Sequence, residues 1–82
     1  MARLFLPFDI AEKAGKRFLD VDEADLKTAI RKAGEITGTD LDAEAKRLAI
    51  LVNGRNIRYL KGWNTRLETA DEVWFVAGSG GG

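Results

Sequence analysis

The side chains that most often carry out covalent or metal chemistry are missing from this sequence. Its 82 residues include no His and no Cys, which excludes Ser-His-Asp and Cys-His catalytic sites, zinc fingers and disulfide frameworks. The 13 Asp and Glu residues could in principle supply a general acid and base. Nothing in the sequence brings two of them together in an apolar pocket, and they alternate with 13 Lys and Arg. We therefore interpret the carboxylates as part of a solvated surface.

The glycine-rich end of the sequence, Gly78-Ser79-Gly80-Gly81-Gly82, is the other feature that suggests chemistry. A phosphate-binding loop needs a helix directly after its glycines, and no helical sequence follows these. On the residues alone, the segment is either a non-native linker or a functional tail. We expect a packed domain at residues 1–77 and a flexible C-terminal segment at 78–82.

The overall composition narrows the class of protein further. A formal net charge of zero argues against a dedicated nucleic-acid binder, which needs surplus positive charge to displace counterions. No apolar run approaches the roughly 18 residues of a membrane span, and the stretch from Met1 to Pro7 lacks the long apolar core of a signal peptide. We therefore expect one small cytoplasmic domain without a bound metal or cofactor.

Two groups of side chains are candidates for a protein-binding surface. Trp63, Trp74 and Phe75 either contact a partner or pack in the core, and we expect core packing for two of the three. Because alternate strand residues face opposite sides, one face of the last strand is free for a partner, and Phe75 is our candidate for that contact. The second group is a basic rim that is either simply solvated or docks against an acidic groove. It consists of Arg55, Arg58, Lys61 and Arg66.

The N-terminal part of the sequence predicts two strands. The segment Arg3–Phe8 has the alternating apolar pattern of a first strand. Residues 9–15 are interpreted as a connection that ends in a glycine turn. The segment Arg17–Val21 then predicts a second strand, with Phe18 and Val21 facing inward. Together the two strands would form a hairpin with a loose connection.

A helix follows, which we place at Asp22–Ala33. Asp22 is a favourable N-cap residue. Gly34 would end this helix, or alternatively the helix continues to Thr37 with Gly38 as its end. Four apolar residues at the spacing i, i+3, i+4, i+7 form one stripe along it. They are Leu26, Ala29, Ile30 and Ala33.

The C-terminal part predicts three further strands. The apolar run Leu48–Val52 is typical of a fully covered central strand. Asn53-Gly54 is a strong hairpin signal, and it leads to a short strand at Arg55–Tyr59. A connection at 60–70 precedes the last strand, Glu72–Val76, which has a high β propensity.

These elements suit an α+β layer architecture, in which one main helix covers a mixed sheet of four or five strands. A single helical turn capped by Asp40 or Asp42 could lie within residues 39–45. If the first and last strands are neighbours in the centre of the sheet, they pair in parallel and the crossover is right-handed. That arrangement is the β-grasp.

The C-terminal half also resembles a known pattern. An apolar strand enters a Val-Asn-Gly turn within 51–57, Thr65-Arg66-Leu67 follows, Asp71–Phe75 opens the last strand, and Gly81-Gly82 ends the sequence. This ordered set resembles the ubiquitin-like sulfur-carrier family. The resemblance is to the small subunit of molybdopterin synthase and the small archaeal and bacterial modifier proteins, with the thiazole-pathway sulfur carrier as a relative. One departure is the segment 77–80, where these carriers often have Pro-Pro-Val.

The resemblance implies a carrier and not a catalyst. In the family, an adenylyltransferase related to ubiquitin-activating enzymes uses ATP to adenylate the terminal carboxylate, here that of Gly82 after Gly81. Sulfur then replaces the adenylate and gives a thiocarboxylate. The large subunit of molybdopterin synthase, or another acceptor enzyme, takes up the sulfur. Modifier members instead, or also, join the terminal glycine to protein lysines. Glycines suit such a role because they pass through narrow channels in any backbone conformation.

Overall fold

The structure is a computed structural model that describes residues 1–77, and within them it has five strands and three helices. The strands are β1 (Ala2–Phe5), β2 (Phe18–Val21), β3 (Leu48–Val52), β4 (Arg55–Asn56) and β5 (Glu72–Ala77). The helices are α1 (Phe8–Ala14), α2 (Leu26–Thr37) and α3 (Leu41–Ala45), and 3-10 turns lie at Ile57–Tyr59 and Gly62–Asn64. The predicted flexible segment 78–82, which includes Gly81 and Gly82, lies outside the described residues.

One sheet joins all five strands in the order β2-β1-β5-β3-β4. β1 and β5 are parallel, with Arg3 opposite Glu72 and Phe5 opposite Trp74. Their outer neighbours, β2 and β3, are antiparallel to them. A parallel pair needs a long crossover connection, and here that crossover contains α2. The first and last strands are thus central neighbours, and the predicted β-grasp with a mixed sheet is confirmed.

The hydrophobic core lies between α2 and one face of the sheet. The four residues of the predicted stripe are all fully buried, which confirms that this side of α2 faces inward. The sheet contributes alternate residues of its four longer strands, as the two-residue period of a strand requires. These residues are Ala2, Leu4, Leu19, Val21, Ile50, Val52, Val73 and Phe75.

Aspartate side chains begin both helices that follow β2. Asp25, and not Asp22 as predicted, is the N-cap of α2, because its carboxylate accepts the backbone N–H of Thr28 at 2.8 Å. The same arrangement begins α3, where the Asp40 carboxylate accepts the N–H of Ala43 at 3.2 Å. The predicted helical turn within 39–45 is therefore confirmed, with Asp40 as its cap.

Helix α2 also ends later than the first of the two predicted ends. It runs through Gly34 to Thr37 and stops at Gly38, whose φ of 68° is the left-handed conformation that favours glycine. Gly34 has a different reason to be glycine: a Cβ at this position would lie 3.0 Å from the Thr39 carbonyl oxygen. The close approach of the next turn, and not a helix end, requires it.

The prediction that residues 9–15 form a connection is wrong, because most of them belong to α1. Pro7 fixes the backbone before the first turn, and its carbonyl accepts the N–H of Ala11 at 2.8 Å. Ile10 is buried, while Gly15, with a φ of 68°, ends the helix. One buried residue in seven is too weak a periodic signal to identify a helix from the sequence.

Two predictions about which strand residues face inward are also wrong. Phe18 and Val21 are three residues apart and cannot share a face of a strand; Leu19 and Val21 are the buried residues of β2, and Phe18 is exposed. In β3, only Ile50 and Val52 are buried. The sheet is covered by helices on one face only, so the apolar run does not mark a fully covered strand.

The predicted turn at Asn53-Gly54 is confirmed by the positive φ angles of these residues, 53° and 84°. The returning strand β4 has only two residues, whereas Arg55–Tyr59 was predicted. The side-chain oxygen of Asn56 accepts the N–H of Arg58 at 2.9 Å. This bond begins a 3-10 turn, which directs the chain away from β3.

Asn53 also connects the turn to the start of β5. Its side chain donates to the Asp71 carboxylate at 2.9 Å and accepts the N–H of Glu72 at 2.9 Å. The second carboxylate oxygen of Asp71 accepts the N–H of Glu68 at 2.8 Å. Three hydrogen bonds thus join the hairpin turn, the end of the 60–70 connection and the last strand.

We expect truncation of the buried stripe to destabilise the domain strongly. Leu26→Ala or Ile30→Ala removes fully buried methyl groups and should cost about 2–5 kcal/mol of unfolding free energy. Ile36→Ala is the matched control, because Ile36 lies on the same helix and is 53% exposed; it should cost less than about 0.5 kcal/mol. Chemical denaturation measures all three. Equal losses at the three positions would contradict the helix orientation.

We also expect the α2 cap to make stability depend on pH. The Thr28 N–H and then the Thr28 hydroxyl, with Arg66 as a smaller contributor, hold the pKa of the Asp25 carboxyl below its ordinary value. A lowered pKa stabilises the fold above the unfolded-state value, and this contribution is lost as the pH falls from about 4 through the folded-state pKa.

Asp25→Asn keeps a capping oxygen but removes this charge. Denaturation at a series of pH values should therefore show a smaller loss of stability below pH ~4 than in the unmodified chain. An unchanged slope in Asp25→Asn would show that the cap is not the source of the effect.

Candidate docking surface

A row of apolar side chains crosses the face of the sheet opposite α2. Phe18 in β2, Phe5 in β1, Trp74 in β5 and Leu51 in β3 are direct cross-strand neighbours. Each is one residue away from a core position, so the two-residue period of the strands places all four on the uncovered side. We call Phe18, Phe5, Trp74 and Leu51 the aromatic row.

The rings of the aromatic row contact one another closely. The Phe5 and Trp74 rings are stacked, with centroids 3.9 Å apart and planes 6° apart. The Phe5 and Phe18 rings are tilted, with centroids 5.7 Å apart. Trp74 is nevertheless 41% exposed and Phe18 37% exposed. Large, rigid aromatic side chains that stay exposed are the kind that anchor protein interfaces.

Charged residues border the aromatic row on the side where β1 and β5 begin. Arg3 forms an ion pair with Asp20 at 3.0 Å, and its guanidinium carbon lies 3.9 Å from the centroid of the Phe18 ring. The Trp74 indole N–H donates to the Glu72 carboxylate in a long bond of 3.4 Å. The surface therefore has an apolar centre and a polar edge, as a protein interface does.

A cleft of about 420 Å³ adjoins the aromatic row on the opposite side, where β1 and β5 end. Phe8, from the first turn of α1, is 73% exposed at this cleft. Arg17 also lines the cleft, and it forms no ion pair within residues 1–77. A partner that places an apolar side chain next to a carboxylate would therefore fit this cleft.

Ala77, the last described residue, is close to this surface. β5 ends at Ala77, three residues after Trp74, which corresponds to about 10 Å along a strand. Because β1 and β5 are parallel, their C-terminal ends lie at the same end of the sheet. A partner that binds the aromatic row would therefore lie near the residues that follow Ala77.

The structure corrects one predicted site residue. Phe75 is 9% exposed and belongs to the core, because β5 turns Val73 and Phe75 toward α2. Its neighbour Trp74 occupies the exposed position that we had assigned to Phe75. The sequence analysis did not identify Phe5 and Phe18 as candidate site residues. Each adjoins an apolar strand residue that faces the core, so strict two-residue alternation would have placed both on the exposed face.

The predicted basic rim is exposed, and its arginines lie in different elements. Arg55 lies in β4, Arg58 in the 3-10 turn that follows, and Arg66 opposite Asp25 in an isolated bridge. Their role in partner binding stays a prediction. The proposed reactive residues Gly81 and Gly82 lie outside the described residues.

Within residues 1–77, no group of three potential metal-ligating side chains comes together. No helix of this part of the chain is long and apolar enough to cross a membrane.

Comparisons with known proteins give one informative relative in sequence and several in structure. No family model matches the chain. A protein of Archaeoglobus fulgidus named "Putative sulfur carrier protein" is 35% identical, and the match covers 78% of this chain and 81% of the other.

The structural neighbours share the fold at lower identity. CysO in the Amycolatopsis orientalis BexX/CysO complex superposes with a TM-score of 0.83 at 13% identity, covering 100% of both chains. Small archaeal modifier protein 1 of Methanosarcina acetivorans superposes with a TM-score of 0.80 at 22% identity, covering 99% of this chain and 95% of the other. These likenesses bear on the fold.

The assignment of the two sheet faces can be tested at two adjacent residues. Phe75→Ala should cost about 3–5 kcal/mol of unfolding free energy, because it empties a core position. Trp74→Ala should cost only about 1 kcal/mol, mainly the lost stacking on Phe5. Chemical denaturation of the two variants measures the difference. A larger loss for Trp74→Ala would mean that the faces are reversed.

Proposed function

Because this chain belongs to the family of sulfur carrier proteins, we propose that Gly82 carries sulfur as a terminal thiocarboxylate. The observation that carries this proposal is the 35% identity to the Archaeoglobus fulgidus protein, over most of both chains. The ordered set of turn and strand motifs from residue 49 onward, followed by Gly81-Gly82, supports it.

The proposed chemistry takes place at the Gly82 carboxyl carbon and needs an enzyme partner. An adenylyltransferase joins the carboxylate to AMP from ATP and releases pyrophosphate. Hydrosulfide, the sulfide-level donor, then attacks the carbonyl carbon, forming the C–S bond as the bond to AMP breaks; the products are AMP and the Gly82 thiocarboxylate. Glycine suits the reacting position because it has no Cβ, so neither side of the carbonyl is shielded by a side chain. ATP is thus a substrate of the partner and not a cofactor of this chain.

In this proposal, the aromatic row binds the partner enzyme. Five residues from Gly78 reach roughly 17 Å when extended, enough to bring Gly82 into a buried site while the domain stays outside. Fixing them in one conformation costs on the order of 1–2 kcal/mol per residue. Burial of the Trp74 and Phe18 rings against the partner would offset this cost. Phe8 and Arg17, in the adjoining cleft, would add contacts near the same end of the sheet.

For the sulfur acceptor we propose the large subunit of molybdopterin synthase, so that the sulfur enters molybdenum or tungsten cofactor biosynthesis in the cytoplasm. The support is the resemblance of the 49–82 motifs to the small subunit of that enzyme. The alternative is a protein modifier that joins Gly82 to lysines. The modifier named among the structural neighbours is the reason to keep it. Both functions need the same activated glycine.

Intact-mass spectrometry of the protein from its native cells distinguishes these functions. A gain equal to the mass difference between sulfur and oxygen, located on Gly82 by fragmentation, is the expected result for a carrier. Lysine-linked adducts of the chain in the same cells would support the modifier. Protein that is unchanged in both respects, even when the cells actively make the cofactor, would contradict both.

Removal of Gly81 and Gly82 should abolish activation without affecting the fold. The truncated chain should melt within a degree or two of the full chain, because the two removed glycines carry no side chain that could pack in a core. It should fail in ATP–pyrophosphate exchange with the cognate adenylyltransferase. Exchange at the full rate by the truncated chain would rule out the carrier function.

Trp74→Asp tests docking separately from chemistry. It should raise the KM for the carrier in the same exchange assay and leave kcat nearly unchanged, because the reacting carboxylate is intact. Ile36→Asp is the matched control, since Ile36 is also an exposed apolar residue, at 53% against 41% for Trp74, but lies on α2; its KM should not change. An unchanged KM in Trp74→Asp would remove the aromatic row from the interface.

A further inference from the structure

The outer edge of β3 is only partly paired. β4 pairs with Leu51 and Val52, so the segment Leu48–Ile50 has no strand partner on that side within residues 1–77. The direction of its backbone groups follows from Asn53, whose N–H donates across to Glu72 in β5 at 2.8 Å. The N–H and C=O groups of successive strand residues point to opposite sides of the strand. Leu48 and Ile50 are an odd number of positions from Asn53, so their backbone groups point away from β5 and toward the open edge.

A cleft keeps this edge accessible. The Asn56–Arg58 hydrogen bond turns the chain away from β3 after two residues of β4. The turn leaves a cleft of about 380 Å³ between β3 and the following segments. Trp63, which is half-buried, lines the cleft together with Leu48 and Ile50. Leu48 is partly exposed at this cleft, whereas Ile50 is only 3% exposed, so the unpaired amide and carbonyl of Leu48 are the more accessible, beside an aromatic wall.

The rim of this cleft is positively charged. Lys46, Arg47 and Arg58 line it, and among residues 1–77 only Arg47 of these three has an acidic partner, Glu44, at 2.7 Å. A second cleft on the other side of Trp63 shares Lys46. It adds two cations and one carboxylate, namely Lys27, Arg31 and Asp42. The chain as a whole has no net charge, so this side of the molecule has a local excess of cations.

We propose that an extended acidic segment of a partner protein adds to the sheet as a sixth strand along Leu48–Ile50. Main-chain hydrogen bonds to Leu48 and Ile50 would supply affinity, as in other cases of strand addition. Acidic side chains of the segment would lie against Lys46 and Arg58, and an apolar one against Trp63. The proposal does not depend on the sulfur-carrier chemistry.

Two other occupants of the edge are less compatible with its charge. A second copy of this chain paired edge to edge would bring Lys46, Arg47 and Arg58 against the same cations, which is repulsive. The opposite edge of the sheet, β2, is also unpaired on its outer side within residues 1–77. There Arg3 and Asp20 neutralise each other, and Arg17 is the one cation that lines the adjoining cleft, against three at the β3 cleft. Charge complementarity therefore favours an acidic segment at β3.

The site is close to the residues that follow Ala77. Leu48 lies directly opposite Ala77 in the β3–β5 pair, so an added strand would be two strand spacings, about 10 Å, from the end of β5. It would extend the edge of the sheet and leave the aromatic row uncovered. One partner, or two different ones, can therefore occupy both surfaces at once.

The probe is a blocked peptide of alternating valine and glutamate, titrated into the ¹⁵N-labelled full chain and followed by NMR. We expect the largest amide shifts at Leu48 and Ile50, a shift of the Trp63 indole N–H, and slower hydrogen exchange of the two amides. The same peptide with N-methyl groups on its strand-pairing amides should not bind. The double variant Lys46→Glu/Arg58→Glu should weaken binding about tenfold, as expected when two exposed attractions become repulsions.

Lys16→Glu is the matched control, because Lys16 is exposed and precedes β2 at the other edge; its affinity should stay within about twofold of the unmodified chain. Shifts concentrated at Phe18–Val21 would overturn the proposal in favour of the β2 edge. Equal binding of the N-methylated peptide would show attraction by charge alone and would also overturn it, as would the absence of binding.

Discussion

The parallel pair of β1 and β5 is the contact on which the other features of the domain depend. It joins the two ends of the folded chain at the centre of the sheet and aligns Phe5 with Trp74. The β1–β2 hairpin lies on one side of it, and the β3–β4 hairpin lies on the other. Without this pair, the two hairpins would have no common sheet, α2 would have no continuous apolar surface to cover, and the aromatic row would be divided into separate pieces.

The sheet has one helix-covered face, and this asymmetry assigns different tasks to adjacent residues. Along β5, Val73 and Phe75 complete the core while Trp74 remains available to solvent. The buried face supplies the stability of a domain that has no disulfide. The exposed face can therefore keep its aromatic side chains for binding without cost to the core. The side chains that fold the domain and those proposed to bind a partner thus lie on the same strands but on opposite faces.

The sequence was sufficient for features that depend on local pattern. The Leu26–Ala33 stripe and the Asn53-Gly54 turn are short-range signals, and both were predicted correctly. The start of α2 needed tertiary information, because Asp22 and Asp25 are both good caps. The structure selects Asp25, where the neighbouring Leu26 N–H donates to the Thr65 carbonyl at 2.9 Å. The exposed member of the Trp74–Phe75 pair depended on which face α2 covers, and no local pattern reveals that.

The position of β5 also has a consequence for how the chain is made. Because β5 follows the other four strands in the sequence, a nascent chain on the ribosome can form its two hairpins and α2 before β5 emerges but cannot unite them. Contacts between segments so distant in sequence form late and slowly. Until residues 72–77 emerge, Phe5 has no ring to stack on and the edges of β1 and β3 are open to other chains. A nascent chain that lacks β5 therefore cannot display the assembled aromatic row, and a partner that binds this row as proposed will select chains in which β5 is in place.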